Sequence, residues 1–109
     1  MDKNEQILYE ARAQILKALA HPTRLWLVDK LAAGEKCVCE LAGNLEIDFS
    51  TVSKHLAVLK HAGIVEDEKR GKQVFYHLKA PCVLNFMHCV ESVIQTRSQD
   101  QMTLLQILG

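Results

Sequence analysis

The sequence predicts a mainly α-helical domain with one β-hairpin, its elements following in the order α-α-α-α-β-β-α. Two observations lead to this fold class. Apolar residues recur at helical spacing through most of the chain. After Gly63 the pattern changes to two short β-prone runs, residues 64–68 and 73–78, joined by a basic turn with glycine at residues 69–72. A chain of 109 residues is long enough for one domain with a modest core.

Composition and charge narrow the class of protein. With 49% hydrophobic and 24% charged residues, the chain is typical of a globular protein rather than a disordered one. No apolar run approaches the roughly 20 residues that span a bilayer, and the polar N-terminus does not resemble a signal peptide. We therefore expect a cytoplasmic protein with no membrane partner. Basic and acidic side chains balance at 13 each, but residues 50–79 carry six Lys or Arg against three acids. That local excess suits a small DNA-binding surface.

The first two predicted helices form the scaffold. The first, about residues 5–20, has apolar side chains at helical spacing. Pro22 suits the first turn of the second helix, about residues 22–33, and His21 marks its boundary. Gly34 ends that helix, as a C-terminal glycine does. The apolar positions of the first helix are Ile7, Leu8, Ala11, Ile15, Leu16, Ala18 and Leu19.

The next two predicted helices form the central motif. Residues 35–45 and 50–62 are separated by a turn at residues 44–49, and Asp48 or Ser50 can cap the second of them. The spacing would bury Val52, Leu56, Val58 and Leu59 and turn outward Thr51, Ser53, Lys54, His55 and Lys60. A short helix, a tight turn and a longer polar-faced helix are typical of a helix-turn-helix, whose second helix enters the DNA major groove.

The rest of the chain adds a wing and a terminal helix. A hairpin directly after a helix-turn-helix is a wing, and its basic tip would contact the DNA backbone. A last helix is predicted at about residues 81–96, with one broad apolar stripe that needs a partner. We expect residues 1–97 to form a winged helix-turn-helix domain with dimerisation helices. Residues 98–109 would be a tail, either a short additional helix or a loose segment. The stripe comprises Cys82, Val83, Phe86, Cys89, Val90, Val93 and Ile94.

Three motifs together resemble the ArsR/SmtB family of winged-helix, metal-sensing repressors. They are A-H-P-T-R-L at residues 20–25, S-T-V-S-K-H-L-A-V-L-K-H-A-G-I-V at residues 50–65 and R-G-K-Q-V-F-Y at residues 70–76. The resemblance implies a homodimer built on the first and last helices. It also implies binding to double-stranded operator DNA of imperfect dyad symmetry, with release when an inducer binds. No C-x-x-C, βαβ pattern or nucleophile–base set suggests an enzyme.

The C-V-C-E-L at residues 37–41 resembles the thiol motif of the arsenic-, cadmium- and lead-responsive branch of that family. In the arsenic repressors a third cysteine follows directly, but here the position holds Ala42. This departure matters because trivalent arsenic or antimony prefers three thiolates. The zinc-sensing branch carries Asp and His on the last helix, and that constellation is absent here.

The chemistry of the four cysteines leaves several arrangements open. Soft thiolates select soft or borderline ions. Cys37 and Cys39 would lie roughly 200° apart on an ideal helix, so either they precede the first regular turn or ion binding unwinds it. Cys82 and Cys89 share one side of the last predicted helix, and four roles are open for them: packing in a dimer, completing the metal site, forming a second site or acting as a redox pair. They lie roughly 10 Å apart, too far for a disulfide within a straight helix.

We expect DNA contacts from two segments. On the recognition helix, hydroxyls can contact base edges or phosphates, Lys can bind phosphate or guanine, and His can do either. Ser50 either caps that helix or reads bases. The wing would hold the DNA backbone. The full set of expected DNA-binding residues is Ser50, Thr51, Ser53, Lys54, His55, Lys60, Lys69, Arg70 and Lys72.

The sequence thus predicts a dimeric repressor released from its operator by a thiophilic inducer, arsenite or antimonite, through Cys37 and Cys39. No constitutive cofactor is expected. The alternatives keep the fold and change the trigger: a cadmium, lead or zinc sensor, or a thiol redox switch that forms a disulfide.

Overall fold

The computed structural model describes residues 1–109 and contains five helices and a three-stranded antiparallel sheet. The sheet has the strand order β1-β3-β2, so the hairpin β2–β3 is extended by a short strand from before the third helix. In chain order the elements are α1 (Lys3–Leu19), α2 (Pro22–Ala32), β1 (Lys36–Cys37), α3 (Val38–Leu45), α4 (Phe49–His61), β2 (Val65–Arg70), β3 (Gln73–Leu78) and α5 (Val83–Leu108). The predicted winged helix-turn-helix is confirmed. None of these helices is both long and apolar enough to cross a membrane.

Side chains at the N-cap position stabilise the start of most of the helices. Asp2 accepts a 2.8 Å hydrogen bond from the Glu5 N–H at the start of α1. His21 caps α2, because its Nδ1 accepts from the Thr23 N–H at 3.1 Å. The expected cap at Asp48 is not formed, since its side chain makes no capping hydrogen bond. Gly63 follows α4 with a φ of +83°, a conformation that costs a glycine little.

The core lies between α2, α3, α4 and the sheet. Leu27, Leu41, Leu56 and Leu59 are fully buried, together with Val52 of α4. Leu59 is three residues after Leu56 and seven after Val52, the spacing of one helix face. Burial of this face fixes the angle of α4 on the scaffold and leaves its other sides for contacts with DNA or a second subunit.

Three predictions about elements were wrong. Residues 35–37 are not helical: α3 begins at Val38, because Lys36 and Cys37 pair with Tyr76 and Phe75 of β3. Val58 is not buried but 40% exposed, since it lies about 100° around the helix from Leu59. Residues 98–108 are neither a separate helix nor a loose tail but continue α5 to Leu108.

Two helices carry apolar faces that the single chain leaves uncovered. On α1, Ile7 and Leu8 are exposed, and on α5 nearly every residue after Met87 is exposed, including Val93 at 65%. Exposed apolar surface of this extent is typical of an interaction site. The first and last helices are the elements expected to dimerise.

Candidate DNA-binding and thiol site

The N-terminal half of α4 presents a polar surface. Ser50 and Lys54 are exposed, whereas Thr51 and Ser53 are half-buried. Lys54 forms no ion pair, so its ammonium is available to an anionic partner. These four predicted residues therefore lie on α4 with polar groups at or near the surface.

His55 does not project outward as expected. Its ring is half-buried and lies 4.4 Å from the His21 ring, centroid to centroid. The reason is helical spacing: His55 is three residues after Val52 and four before Leu59, both fully buried, so it sits at the edge of the core face. Burial, with repulsion from His21 and Arg24, lowers the pKa of His55. It is a contact between α2 and α4 in this structure.

Two of the predicted DNA-binding cations are already paired. Lys60 Nζ lies 2.9 Å from Asp67 Oδ1 of β2, which ties α4 to the wing and raises the Lys60 pKa. Arg70 donates to Glu68 at 2.8 Å and to Glu35 before β1, also at 2.8 Å. Its guanidinium lies 4.8 Å from the centre of the Phe75 ring. Arg70 thus folds back along the wing instead of extending from its tip.

The wing tip keeps two unpaired cations. Lys69 and Lys72 are exposed and form no ion pair. Gly71 between them has a φ of +63°, which allows the tight turn between β2 and β3. Of the three predicted wing cations, these two are the ones free to contact a phosphate.

The thiol pair, Cys37 and Cys39, lies where β1 meets α3. Cys37 is the last residue of β1 and the N-cap of α3, while Cys39 is in the first turn of that helix. Their Cα atoms are 5.4 Å apart and their Sγ atoms are joined as a disulfide. The arrangement in which both cysteines precede the first regular turn holds for Cys37 only, since Cys39 lies within that turn. The two sulfurs nevertheless meet without unwinding the helix.

The two sulfurs have different surroundings. Cys37 is 3% exposed, and its Sγ accepts from the Glu40 N–H at 3.4 Å while the Glu40 carboxylate accepts from the Cys37 N–H at 3.4 Å. This is a capping box with sulfur in place of the usual hydroxyl. Cys39 is exposed, and its Sγ accepts from Gln73 Nε2 at 3.8 Å. Cys37 is thus part of the helix start, and Cys39 is accessible to a reagent.

Two residues that the sequence did not single out connect the thiol pair to the wing. Gln73, the first residue of β3, contacts Cys39, and Glu35, two residues before Cys37, binds Arg70. Each partner is more than 30 positions away in the chain, so no local pattern could have identified them. Phe49 was also missed. It is the first residue of α4 and is 57% exposed.

The other two cysteines lie apart from each other: Cys82 is the N-cap residue before α5, not part of the helix as expected, and Cys89 lies within α5. Cys82 and Cys89 are both free and exposed. No group of three His, Cys, Asp or Glu side chains in the chain is arranged to hold a metal ion, and Ala42 leaves the thiol pair without a third sulfur from α3. The single chain thus supplies two adjacent sulfurs.

Known proteins with matching sequences agree with the observed fold and with the three sequence motifs. Residues 21–67 match the family described as "Bacterial regulatory protein, arsR family". The chain is 50% identical to the biofilm growth-associated repressor of Agrobacterium fabrum. That match covers 61% of this chain and 56% of the relative, so the chain spans just over half of the relative's length. It is 42% identical to the biofilm growth-associated repressor of Xylella fastidiosa over 72% of the chain and 71% of the relative.

A solved structure agrees along most of the chain. It is a homodimeric winged helix-turn-helix DNA-binding domain from Mycobacterium bovis, described as a possible ArsR-family transcriptional regulator. The TM-score is 0.77 at 28% sequence identity, and the match covers 92% of this chain and 93% of that one. These relatives are named as repressors or a regulator, and none is named as an enzyme.

Proposed function

Because the chain belongs to the arsR family of bacterial regulatory proteins, we propose that it is a homodimeric repressor whose hold on operator DNA is released through Cys37 and Cys39. The leading trigger is a thiophilic inducer, arsenite or antimonite. The observation that carries this proposal is the placement of two cysteine sulfurs side by side at the start of α3, directly before the recognition helix α4.

The dimer is supported by the exposed apolar faces of α1 and α5. A second subunit would cover side chains such as Ile7, Leu8 and Val93, whose exposure has a free-energy cost in the isolated chain. The homodimeric relative of the same fold is consistent with this arrangement. Two α4 helices and two wings would then meet a DNA site with dyad symmetry.

The chemistry of the inducer follows from the thiol pair. In the reduced protein, arsenite, As(OH)₃, would exchange two hydroxides for the sulfurs of Cys37 and Cys39. Each thiol proton would leave with one hydroxide as water, so two waters are released. The third arsenic position would keep a hydroxide or take one more thiolate, and Cys82 or Cys89 of either subunit is the remaining source of sulfur in the dimer.

Ligation would reach the DNA-binding elements because the thiol pair contacts the wing directly and lies at the start of α3, which packs against α4. Drawing the Cys37 sulfur toward an ion would weaken its contact with the Glu40 N–H, and so weaken the start of α3, whose Leu41 shares the buried core with α4. A change at Cys39 alters its contact with Gln73 next to the tip of the wing. The Glu35–Arg70 pair adds a second link to the wing. The recognition helix and the wing would be displaced together.

A second trigger, oxidation, is favoured by the Sγ–Sγ bond itself. In that case the two thiols lose two protons and two electrons to an oxidant such as a peroxide: hydrogen peroxide is reduced to two waters, and an organic hydroperoxide to an alcohol and one water. A cadmium, lead or zinc sensor on the same sulfurs is the remaining alternative.

One titration distinguishes the triggers. Reduced protein, kept in a thiol-free phosphine reductant, is bound to a labelled fragment of the promoter of its own operon. Arsenite, cadmium and zinc are then added in separate titrations. Peroxide is added after the phosphine is removed. We expect arsenite to release wild type but not Cys37→Ser or Cys39→Ser. Cys82→Ser and Cys89→Ser are the matched controls, and loss of release in either identifies the third ligand. If no ion and no oxidant releases the DNA, the proposed trigger site is wrong.

DNA binding itself is tested at Lys54, which is exposed and unpaired. Lys54→Ala should weaken binding to the promoter fragment and flatten its dependence on salt, because one phosphate contact is lost per subunit. Lys30→Ala on α2, where the ammonium lies 5.4 Å from the centre of the Trp26 ring, is a matched charge control. Equal effects of the two substitutions would contradict the role given to α4.

A further inference from the structure

Phe49 is a large apolar residue with more than half of its surface exposed to solvent. It is the first residue of α4, its side chain is 57% exposed, and it is not part of the buried core. Asp48 before it makes no side-chain contact that would close the start of the helix. The ring therefore stands at the open end of the recognition helix.

Phe49 does not line the groove between α1, one of the two expected dimerisation helices, and α4. The groove between α1 and α4 is lined from α1 by Ile15 and Ala18 and from α4 by Ala57, Val58 and Ala62. Phe49 precedes Val58 by nine residues, which places it roughly 13 Å farther along the helix axis. It thus lies at the end of α4 away from that groove.

The neighbours of Phe49 are groups that suit DNA. Ser50 is adjacent, and Ser53 lies one turn farther on the same side of α4, with Lys54 next to it. In a helix-turn-helix the N-terminal residues of the recognition helix face base edges in the major groove. The apolar group that the major groove displays is the 5-methyl of thymine.

We propose that Phe49 reads thymine by packing its ring against the 5-methyl group in the major groove. This inference rests on the proposed DNA-binding function and adds a determinant of sequence preference. Phe49 supplies apolar contact, whereas the hydroxyl and ammonium groups beside it bind polar atoms of bases or phosphates. A uracil in place of the thymine keeps every polar group of the base pair and removes only the methyl.

The test compares DNA that contains thymine with DNA that contains uracil. The promoter fragment of the protein's own operon is amplified with either dTTP or dUTP, and its affinity is measured for wild type, Phe49→Gln and Phe49→Ala. We expect uracil to weaken wild-type binding by roughly fourfold for each half-site, the worth of one buried methylene-sized group. The two Phe49 variants should bind both fragments with the same affinity. Single thymines restored one at a time in the uracil fragment then locate the base that is read.

The outcomes separate this inference from the function on which it rests. If the wild type binds the thymine fragment and its affinity is unchanged by uracil, Phe49 does not read thymine, although the protein binds DNA. If the variants lose affinity for uracil DNA as much as wild type does, another residue contacts the methyl and the inference is overturned. If the wild type binds neither fragment, the proposed function fails, and this inference fails with it. Thermal unfolding of the variants, expected to match wild type because Phe49 is exposed, confirms that they fold.

Discussion

The unequal surroundings of the two cysteines give a quantitative prediction for the reduced protein. In Cys37→Ala, α3 loses its capping acceptor. Sulfur is a weaker acceptor than oxygen, so we take the low end of the capping range, about 0.5 kcal/mol. The same substitution removes a buried atom of about methylene size, worth about 0.8 kcal/mol. The sum is about 1.3 kcal/mol of unfolding free energy, which corresponds to about 0.6 M urea at an m-value of about 2 kcal/mol/M.

Cys39→Ala is the matched variant, because it removes the other sulfur of the thiol pair from an exposed position. This substitution should lower the free energy of unfolding by no more than about 0.5 kcal/mol, as most surface substitutions do. Cys37→Ser should fall between the two, since its hydroxyl keeps the capping acceptor but is buried. The measurement is urea unfolding followed by circular dichroism, at one protein concentration and in a phosphine reductant.

Both alanine variants should lose release by arsenite, because each removes one of the two adjacent sulfurs. The two cysteines thus differ in role: Cys37 contributes to the stability of the fold and to induction, whereas Cys39 contributes to induction alone. Equal destabilisation by the two substitutions would refute the assignment of Cys37 as the helix cap. Release of Cys39→Ala at the wild-type arsenite concentration would refute the role of the thiol pair.

Three further predictions concern the wing, the histidine contact and the dimer. Lys72→Gln should lower the slope of log affinity against log salt by about 0.9 for each wing that contacts a phosphate. Arg70→Gln should change that slope less, because Arg70 is already paired with two carboxylates, and equal slopes would contradict this distinction. Because burial lowers the pKa of His55 in the folded protein, the unfolded chain binds that proton more tightly. The free energy of unfolding should therefore stay level at pH values above 6.5, the ordinary histidine pKa, and decrease at pH values below it. His55→Gln should make the decrease in urea midpoint between about pH 7 and 5 smaller. Val93→Glu should lower the molar mass measured by light scattering toward that of one chain, since a charge cannot be buried unpaired in an apolar interface; an unchanged mass would place the interface elsewhere.

Much of the fold could be predicted because its signals are local. The apolar spacing of α2 and α4 and the glycines at their ends established those elements to within one or two residues. The wing followed from the change of period after Gly63. The start of α3 could not be predicted, because the pairing of Lys36 and Cys37 with β3 competes with helix formation, and that strand lies almost forty positions later. The wing itself thus converts the first residues of the expected helix into a strand.

By itself the sequence determined the helix-turn-helix, the wing and the presence of two cysteines at the start of the third helix. Periodicity, capping and turn chemistry act over a few residues, and a single chain displays them directly. Only the tertiary structure decided which of the expected DNA-binding side chains have partners within the protein. Arg70 is held by Glu35, Lys60 by Asp67 and the His55 ring against His21, so three of the expected DNA-binding residues are occupied within the protein. Such pairings depend on how the elements dock, because side chains meet across distances that no local pattern records.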